Sequence, residues 1–163
     1  MTRLLFPPRY SPPALPGGTV LTVHSDCVKC GRACYRDGPV MAIEAARDRE
    51  GDQPAVSFLL GFADSKSKKK RRIAADVEAL FEDWSTGVVL EPKTRQRHLE
   101  GDLWEVKTPD VRLPYYEVVD PDHGRLARLT HGFLKDFGRT IDGKCPPKQI
   151  RKGLYMMKED KLC

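Results

Sequence analysis

The densest positive charge in this 163-residue chain lies between Lys66 and Arg72. Neighbouring like charges repel one another, and cations at the start of a helix oppose its dipole, so local stability does not explain this run. Phosphate groups are the partners that such a run suits, with an affinity that falls steeply with salt. We therefore predict nucleic-acid contacts by Lys68, Lys69, Lys70, Arg71 and Arg72, the alternative being a solvated basic face.

A second cluster with chemical potential contains cysteines near the N-terminus. Cys27 and Cys30 have the Cys-x2-Cys spacing, followed by Gly31, that forms one half of many structural zinc sites. A second pair of ligands normally comes from farther along the chain. The sequence predicts a zinc site formed by His24, Cys27, Cys30 and Cys34, with Cys145 or Cys163 as substitutes for His24. Free thiols and a redox pair are the alternatives.

Composition limits the kinds of protein that the chain can be. Apolar residues make up 40% and charged residues 31%, and the length suits one domain with an appendage. No apolar run is long enough to span a bilayer, and the N-terminus lacks the apolar core of a signal peptide. Five cysteines, an odd number, argue against a secreted disulfide scaffold. We expect a cytoplasmic protein with no membrane partner, and the net charge of +5 favours an acidic one.

Two kinds of sequence meet near residue 54. Five prolines between Met1 and Gly18 predict an extended, partly disordered leader. A short β-branched run at 19–23 predicts a strand, and the charged segment at 42–52 a frayed helical turn. We therefore predict an irregular extension over 1–54 and a folded domain over 55–163. Met41 is an alternative start, in which case residues 1–40 would be dispensable.

The second segment has the patterning of a small α+β domain. The apolar residues Ile73, Val77, Leu80, Phe81 and Trp84 fall on one helical face, behind a cap at Ser65 or Ser67 and ahead of a stop at Gly87. A turn at 120–124 predicts a hairpin. The predicted elements are a strand at 55–62, the helix from Lys68, a loop at 88–98, strands at 102–107, 111–119 and 125–130 forming an antiparallel meander, and a short C-terminal helix at 150–161.

Four phrases of this second segment resemble one known family. The chain resembles HigB-like, phage-derived toxins of the RelE/ParE superfamily, in order over about residues 55–160. The four phrases are LEGDLWEVK at 99–107, VRLPYY at 111–116, LTHGFLK at 129–135 and KCPPKQI at 144–150. The resemblance implies a RelE-like α+β fold, with a largely meander sheet packed on an N-terminal helical region.

The resemblance also implies a function and a mechanism. Such toxins act in toxin–antitoxin systems as ribosome-dependent mRNA endonucleases, and an antitoxin, typically of helix-turn-helix type, neutralises them. The ribose 2′-hydroxyl attacks the adjacent 3′-phosphate and leaves a cyclic phosphate. No metal or other cofactor is required, because the nucleophile is tethered beside phosphorus. The protein must stabilise the developing charge and transfer protons. The basic run would then contact ribosomal RNA.

The same resemblance points to the site residues. Arg112 occupies the strand position of a phosphate-contacting arginine, for which a salt bridge with Glu105 or Glu117 is the alternative. Lys107 and Lys135 are the candidate ammonium groups, and His131 is a candidate acid or base that could equally be a buried structural histidine. The predicted catalytic set is Arg112, Lys135, Lys107, Tyr116 and His131, with Lys144 as a further RNA contact.

Two departures from the family pattern leave other functions open. Pro114 lies inside a predicted strand, where it removes a ladder donor and predicts a bulge or break. Asp136 replaces a basic residue that follows the third phrase in the family. A catalytically silent, phage-derived RNA- or protein-binding module is therefore one alternative. A gyrase inhibitor of ParE type on the same fold is another.

Overall fold

The computed structural model describes residues 31–63, 65–121, 124–135 and 143–163, together with the backbone of 25–26. The predicted strand at 19–23, the proposed zinc ligands His24, Cys27 and Cys30, and Asp136 lie outside these residues.

One mixed, mostly antiparallel sheet forms the centre of the fold. The strands are β1 (Ser25–Asp26), β2 (Ala33–Asp37), β3 (Ala42–Ala45), β4 (Gln96–Glu100), β5 (Leu103–Lys107), β6 (Val111–Asp120), β7 (Gly124–Leu129) and β8 (Phe133–Leu134). They follow the order β1-β2-β3-β7-β6-β5-β4 in the sheet, and β8 pairs with β6. All these pairs are antiparallel except β3 with β7, which is parallel. The meander predicted from the last three long strands is confirmed.

Helices cover both faces of the sheet. Helices α1 (Pro54–Leu60) and α2 (Lys68–Thr86) share the main hydrophobic core with β2, β3 and the inward residues of β5, β6 and β7. Helix α3 (Pro147–Asp160) packs against β5 and β6, where Gly153 lies beside Leu103, a side chain on the opposite face of the sheet from Val106. In the part of the chain that the structure describes, no helix is long and apolar enough to cross a membrane.

Helix α2 forms as the sequence predicts. The Ser67 hydroxyl accepts a hydrogen bond from the Lys70 amide, 3.4 Å away, and caps the first turn. The helix ends at Gly87, whose φ of +89° is the left-handed conformation that glycine adopts without strain. The predicted apolar face is buried against the sheet.

The predicted strand at 55–62 is wrong, because this segment is helix α1. Pro54 occupies the first turn, where its missing amide leaves no bond unmade, and Ala55 and Leu59, four residues apart, are buried. A short apolar run fits a buried strand and a buried helix equally well, so periodicity alone does not distinguish them.

Two further local predictions are corrected within the sheet. The segment predicted as a helical turn contains β3, whose four residues are all buried between β2 and β7. The segment predicted as a loop, 88–98, contains the first three residues of β4, a polar strand at the sheet edge. Burial on both faces overrides the helical propensity of alanine in the first case, and edge strands tolerate charge in the second.

The predicted boundary at residue 54 does not separate two structural units. Strands β2 and β3 lie in the predicted extension, yet β3 pairs with β7. Ala33, Tyr35, Met41 and Ile43 belong to the same core cluster as the residues of α2. Residues 33–45 are therefore integral to the fold.

Pro114 causes no bulge in β6, which pairs with β5 in unbroken register from Trp104–Tyr115 to Lys107–Arg112. The carbonyl of Pro114 accepts from the Thr130 amide at 2.8 Å, on the side where the partner strand changes from β7 to β8. The amide and carbonyl of one strand residue point to the same side of the strand. The amide hydrogen that Pro114 lacks would therefore face the place where the partner changes from β7 to β8. The prediction of a bulge or break in this strand is therefore wrong.

Candidate functional site

The two candidate lysines line one cleft at the end of the sheet. Lys107 ends β5 and Lys135 follows β8, and both face a cleft of about 450 Å³ whose opposite wall is formed by Asp76, Ala79 and Leu80 of α2. Strand pairing explains this convergence, because both β5 and β8 flank β6 near Arg112. The sequence predicted these residues, and the topology brings them together.

The turn before β4 positions the ammonium of Lys107. Lys107 Nζ donates to the backbone carbonyl of Lys93 and lies 3.9 Å from Glu105 Oε1. Lys93 has a φ of +66°, the left-handed conformation that non-glycine residues rarely adopt. Locally strained backbone therefore supplies an acceptor that holds this lysine.

Asp110 connects the cleft to the start of α2. Its carboxylate pairs with Arg72 at 2.9 Å, and its backbone carbonyl accepts from the Lys135 amide at 2.8 Å. The basic run and the cleft lysines are thus neighbours around one acidic residue. Asp110 had no signal in the sequence beyond its place in a turn.

Arg112 is buried behind the cleft. Its guanidinium donates to both Glu105 oxygens, at 3.1 and 3.4 Å, and to the carbonyl of Gly143 at 2.6 Å. Only 6% of the Arg112 side chain is exposed, and none of Glu105. The salt bridge with Glu105, one of the two alternatives in the sequence, is therefore the one that forms. Through its hydrogen bond to the Gly143 carbonyl, Arg112 also anchors the segment that begins at Gly143.

The electrostatic environment alters both lysines and a neighbouring thiol. Burial, and then the nearby charges of Arg112 and Lys107, lower the pKa of Lys135. Burial also lowers the pKa of Lys107, with Glu105 opposing and Arg112 reinforcing the effect. Burial, reinforced by Glu105, raises the pKa of Cys145 to about 12, which keeps this thiol protonated. The cleft therefore contains amines that can exchange protons closer to neutral pH, but no thiolate nucleophile.

Tyr116 lies in a separate buried cluster on the α3 side of the sheet. Its hydroxyl donates to Asp160, which also accepts from Arg32 at 2.8 Å, Arg128 at 3.1 Å and the Arg47 amide at 2.7 Å. Tyr116 lies four residues after Arg112 and shares its strand parity, but the two side chains bind different partners. Burial, reinforced by Asp160, raises the pKa of Tyr116. Such a site favours a structural role for this tyrosine.

His131 is likewise enclosed. Its Nδ1 lies 3.0 Å from the Thr130 hydroxyl and its Nε2 3.0 Å from Gln149 Oε1, with 1% of the residue exposed. Burial, assisted by Lys152, lowers its pKa to about 4. The ring is therefore neutral at physiological pH and fits the buried structural alternative.

The predicted RNA-binding residues lie on the surface. Lys68, Lys69, Lys70, Arg71 and Lys144 are exposed, and Arg72 is exposed while paired with Asp110. Of His24, Cys27, Cys30 and Cys34 only Cys34 is described, and its thiol donates to the Arg36 carbonyl at 3.4 Å. Within the described residues no group of three or more His, Cys, Asp or Glu side chains could hold a metal ion. The zinc site remains a prediction, since its other ligands lie outside those residues.

No protein-family model matches the chain, and a search of curated proteins finds no similar sequence. The resemblance to the RelE/ParE superfamily therefore rests on the four sequence phrases.

Proposed function

We propose that the chain is a metal-independent endoribonuclease of toxin type that cleaves mRNA on the ribosome. The convergence of Lys107 and Lys135 on one cleft, next to the exposed basic run, is the observation that supports it. The resemblance of the four sequence phrases to RelE/ParE toxins further supports the proposal and implies an antitoxin as partner.

The environments of the two lysines favour different roles. Lys135 lies beside the charges of Arg112 and Lys107, which favour its neutral amine. Burial lowers the pKa of Lys107 as well, but Lys107 lies 3.9 Å from Glu105 and donates to the Lys93 carbonyl, two contacts that favour its ammonium. In the proposed step the Lys135 amine accepts the proton of the ribose 2′-hydroxyl, whose oxygen then bonds to phosphorus. The phosphorus–5′-oxygen bond breaks, and the leaving oxygen takes a proton from the Lys107 ammonium.

Arg112 has a positioning role in this proposal. Its guanidinium is occupied by Glu105 and Gly143, so it holds the carboxylate that faces Lys107 and contributes positive potential to Lys135. Four exposed cations of the basic run, from Lys68 to Arg71, bind ribosomal RNA phosphates and direct the mRNA to the cleft.

Induction of the chain in a bacterial host tests the proposal when growth and mRNA 5′ ends are followed together. Wild type should arrest growth and create new 5′ ends. Lys135→Gln and Lys135→Arg should both lose about a hundredfold in cleavage, because arginine keeps the charge but not the proton transfer. The matched control is Arg125→Gln, an exposed cation at the start of β7, which should arrest growth like wild type. Full activity of Lys135→Arg would exclude Lys135 as the base.

A non-catalytic RNA-binding module is the second candidate, and the burial of Arg112, Tyr116 and His131 favours it. Under this alternative the chain binds ribosomes without creating 5′ ends. A gyrase inhibitor would instead produce DNA breaks without RNA cleavage.

A further inference from the structure

Helix α3 segregates its charges between its two sides. Four of its charged side chains are exposed, and all four are basic: Lys148, Arg151, Lys152 and Lys158. Its two acidic residues are withdrawn from solvent. Glu159 pairs with Arg49 at 3.2 Å, and Asp160 is enclosed by its hydrogen-bond donors.

The stability of α3 does not explain this arrangement. Lys148 is three residues from Arg151 and four from Lys152, separations at which like charges repel on a helix surface. Lys148 also lies in the first turn, where no acidic residue offsets it against the helix dipole. A partner with negative charge would give these cations a favourable role.

An aromatic side chain lies within the same stripe. Tyr155 follows Arg151 by four residues and precedes Lys158 by three, so the three residues share one side of the helix. Its side is opposite to the buried Gly153 and Met156, and 59% of Tyr155 is exposed. An exposed ring among cations has the two elements of single-strand recognition, since phosphates pair with the cations and a base stacks on the ring.

We infer that Lys148, Arg151, Lys152, Tyr155 and Lys158, the α3 basic face, bind single-stranded RNA. The inference extends the proposed function, because it adds a second RNA surface on the opposite side of the sheet from α2. An acidic protein would also match the charge, but it has no planar base for Tyr155. RNA is therefore the partner to which the face is assigned.

The test is binding of a labelled 20-nucleotide RNA with 2′-O-methyl sugars, measured by fluorescence anisotropy across a salt series. This probe has no 2′-hydroxyl and cannot be cleaved, so an absence of nuclease activity does not affect the result. The variant Lys148→Gln/Arg151→Gln/Lys152→Gln should reduce the slope of log affinity against log salt by about 2, at about 0.7 per lost phosphate contact. Arg125→Gln, on the β6–β7 hairpin, is the control and should bind like wild type.

Substitutions of the aromatic residue separate stacking from charge. Tyr155→Ala should weaken binding about fivefold or more with an unchanged salt slope, and Tyr155→Phe should bind like wild type. Unaltered urea midpoints would show that all these exposed substitutions leave the fold intact. The inference is overturned if the triple variant retains the wild-type slope, or if Tyr155→Ala binds like wild type. It is also overturned if a polyglutamate peptide of equal length binds as tightly as the RNA.

Discussion

Contact with the cleft separates the predicted site residues into two groups. Lys135 and Lys107 reach the cleft, whereas Arg112, Tyr116 and His131 are enclosed by hydrogen-bond partners of their own. An enclosed charged or polar group with satisfied partners is expensive to remove and gives little direct contact with a substrate. Lys107 is itself only 6% exposed, but it lines the cleft together with Lys135. These two lysines therefore carry the proposed chemistry, and the enclosed residues support it.

Arg112 illustrates the cost of opening a buried ion pair. Arg112→Gln should lower the free energy of unfolding by about 3–5 kcal/mol, because Glu105 keeps its charge without this partner. The double variant Glu105→Gln/Arg112→Gln should recover part of that loss, since no buried carboxylate remains. Urea unfolding of the two singles and the double measures the coupling. Additive losses would show that the pair does not interact.

His131 makes stability depend on pH. Its folded pKa of about 4 lies below the ordinary value of 6.5, so the unfolded chain binds the proton more readily between these values. The neutral ring makes its full contribution to the free energy of unfolding above about pH 6.5. This contribution declines as pH falls toward 4, by up to about 1.4 kcal/mol per pH unit. Urea unfolding at several pH values should show that His131→Asn lacks this decline. His98→Asn, which removes an exposed histidine, is the control, and an equal effect of both variants would contradict the assignment.

At the scale of elements, the sequence predicts those helices and hairpins whose form depends on an amphipathic face or on turn residues. Helix α2, with its cap at Ser67, apolar face and stop at Gly87, could be read from the sequence, and so could the hairpin between β6 and β7. Helix α1 could not, because seven mostly apolar residues fit two conformations. Strand β3 could not either, because long-range pairing with β7 imposes an extended form on Ala42–Ala45.

The start of α2 yields a prediction about ribosome binding. Changing Lys68, Lys69, Lys70 and Arg71 to glutamine should flatten the salt dependence of ribosome pelleting, because fewer counterions are released. Arg72 is retained since it pairs with Asp110. The helix should survive, because glutamine is a good helix former and the apolar face is unchanged. Binding curves that coincide with wild type would mean that the run is only a solvated face.

At the scale of the whole molecule, Asp160 joins distant parts of the chain. Its carboxylate accepts from Arg32, which precedes β2, from the Arg47 amide after β3, and from side chains on β6 and β7. The end of α3 thereby fixes the N-terminal strands to the meander. No sequence pattern predicts such contacts, because they join residues between 32 and 128 positions apart.

The sequence left open that residues 1–40 are dispensable. The structure instead predicts that a chain without them does not fold cooperatively. A chain that begins at Met41 loses β2, including the buried ring of Tyr35 and the Arg32 partner of Asp160. Loss of a buried aromatic ring alone lowers the free energy of unfolding by about 3–5 kcal/mol. This chain should show no cooperative urea transition, whereas one beginning at Ser25 retains β2 and serves as the control. Wild-type stability of the shorter chain would show that β2 is not needed.

The candidate site as a whole was only partly accessible from the sequence. The phrases at 99–107 and 129–135 identified both cleft lysines, because each phrase ends at one of them. The burial of Arg112 under Gly143 and the place of Cys145 beside Glu105 depend on how the segment from 143 folds over β5 and β6. Tertiary contacts of this kind leave no periodic trace in a sequence.

The most direct test of the proposed function is cleavage of a defined mRNA on purified ribosomes in the presence of EDTA. Wild type should yield products with a 2′,3′-cyclic phosphate and a free 5′-hydroxyl, because the ribose hydroxyl is the nucleophile and no metal takes part. Lys135→Gln should slow single-turnover cleavage about a hundredfold, and Arg125→Gln should cleave at the wild-type rate. Intact mRNA after incubation with ribosome-bound wild-type protein, or cleavage that EDTA abolishes while ribosomes remain intact, would contradict the proposal.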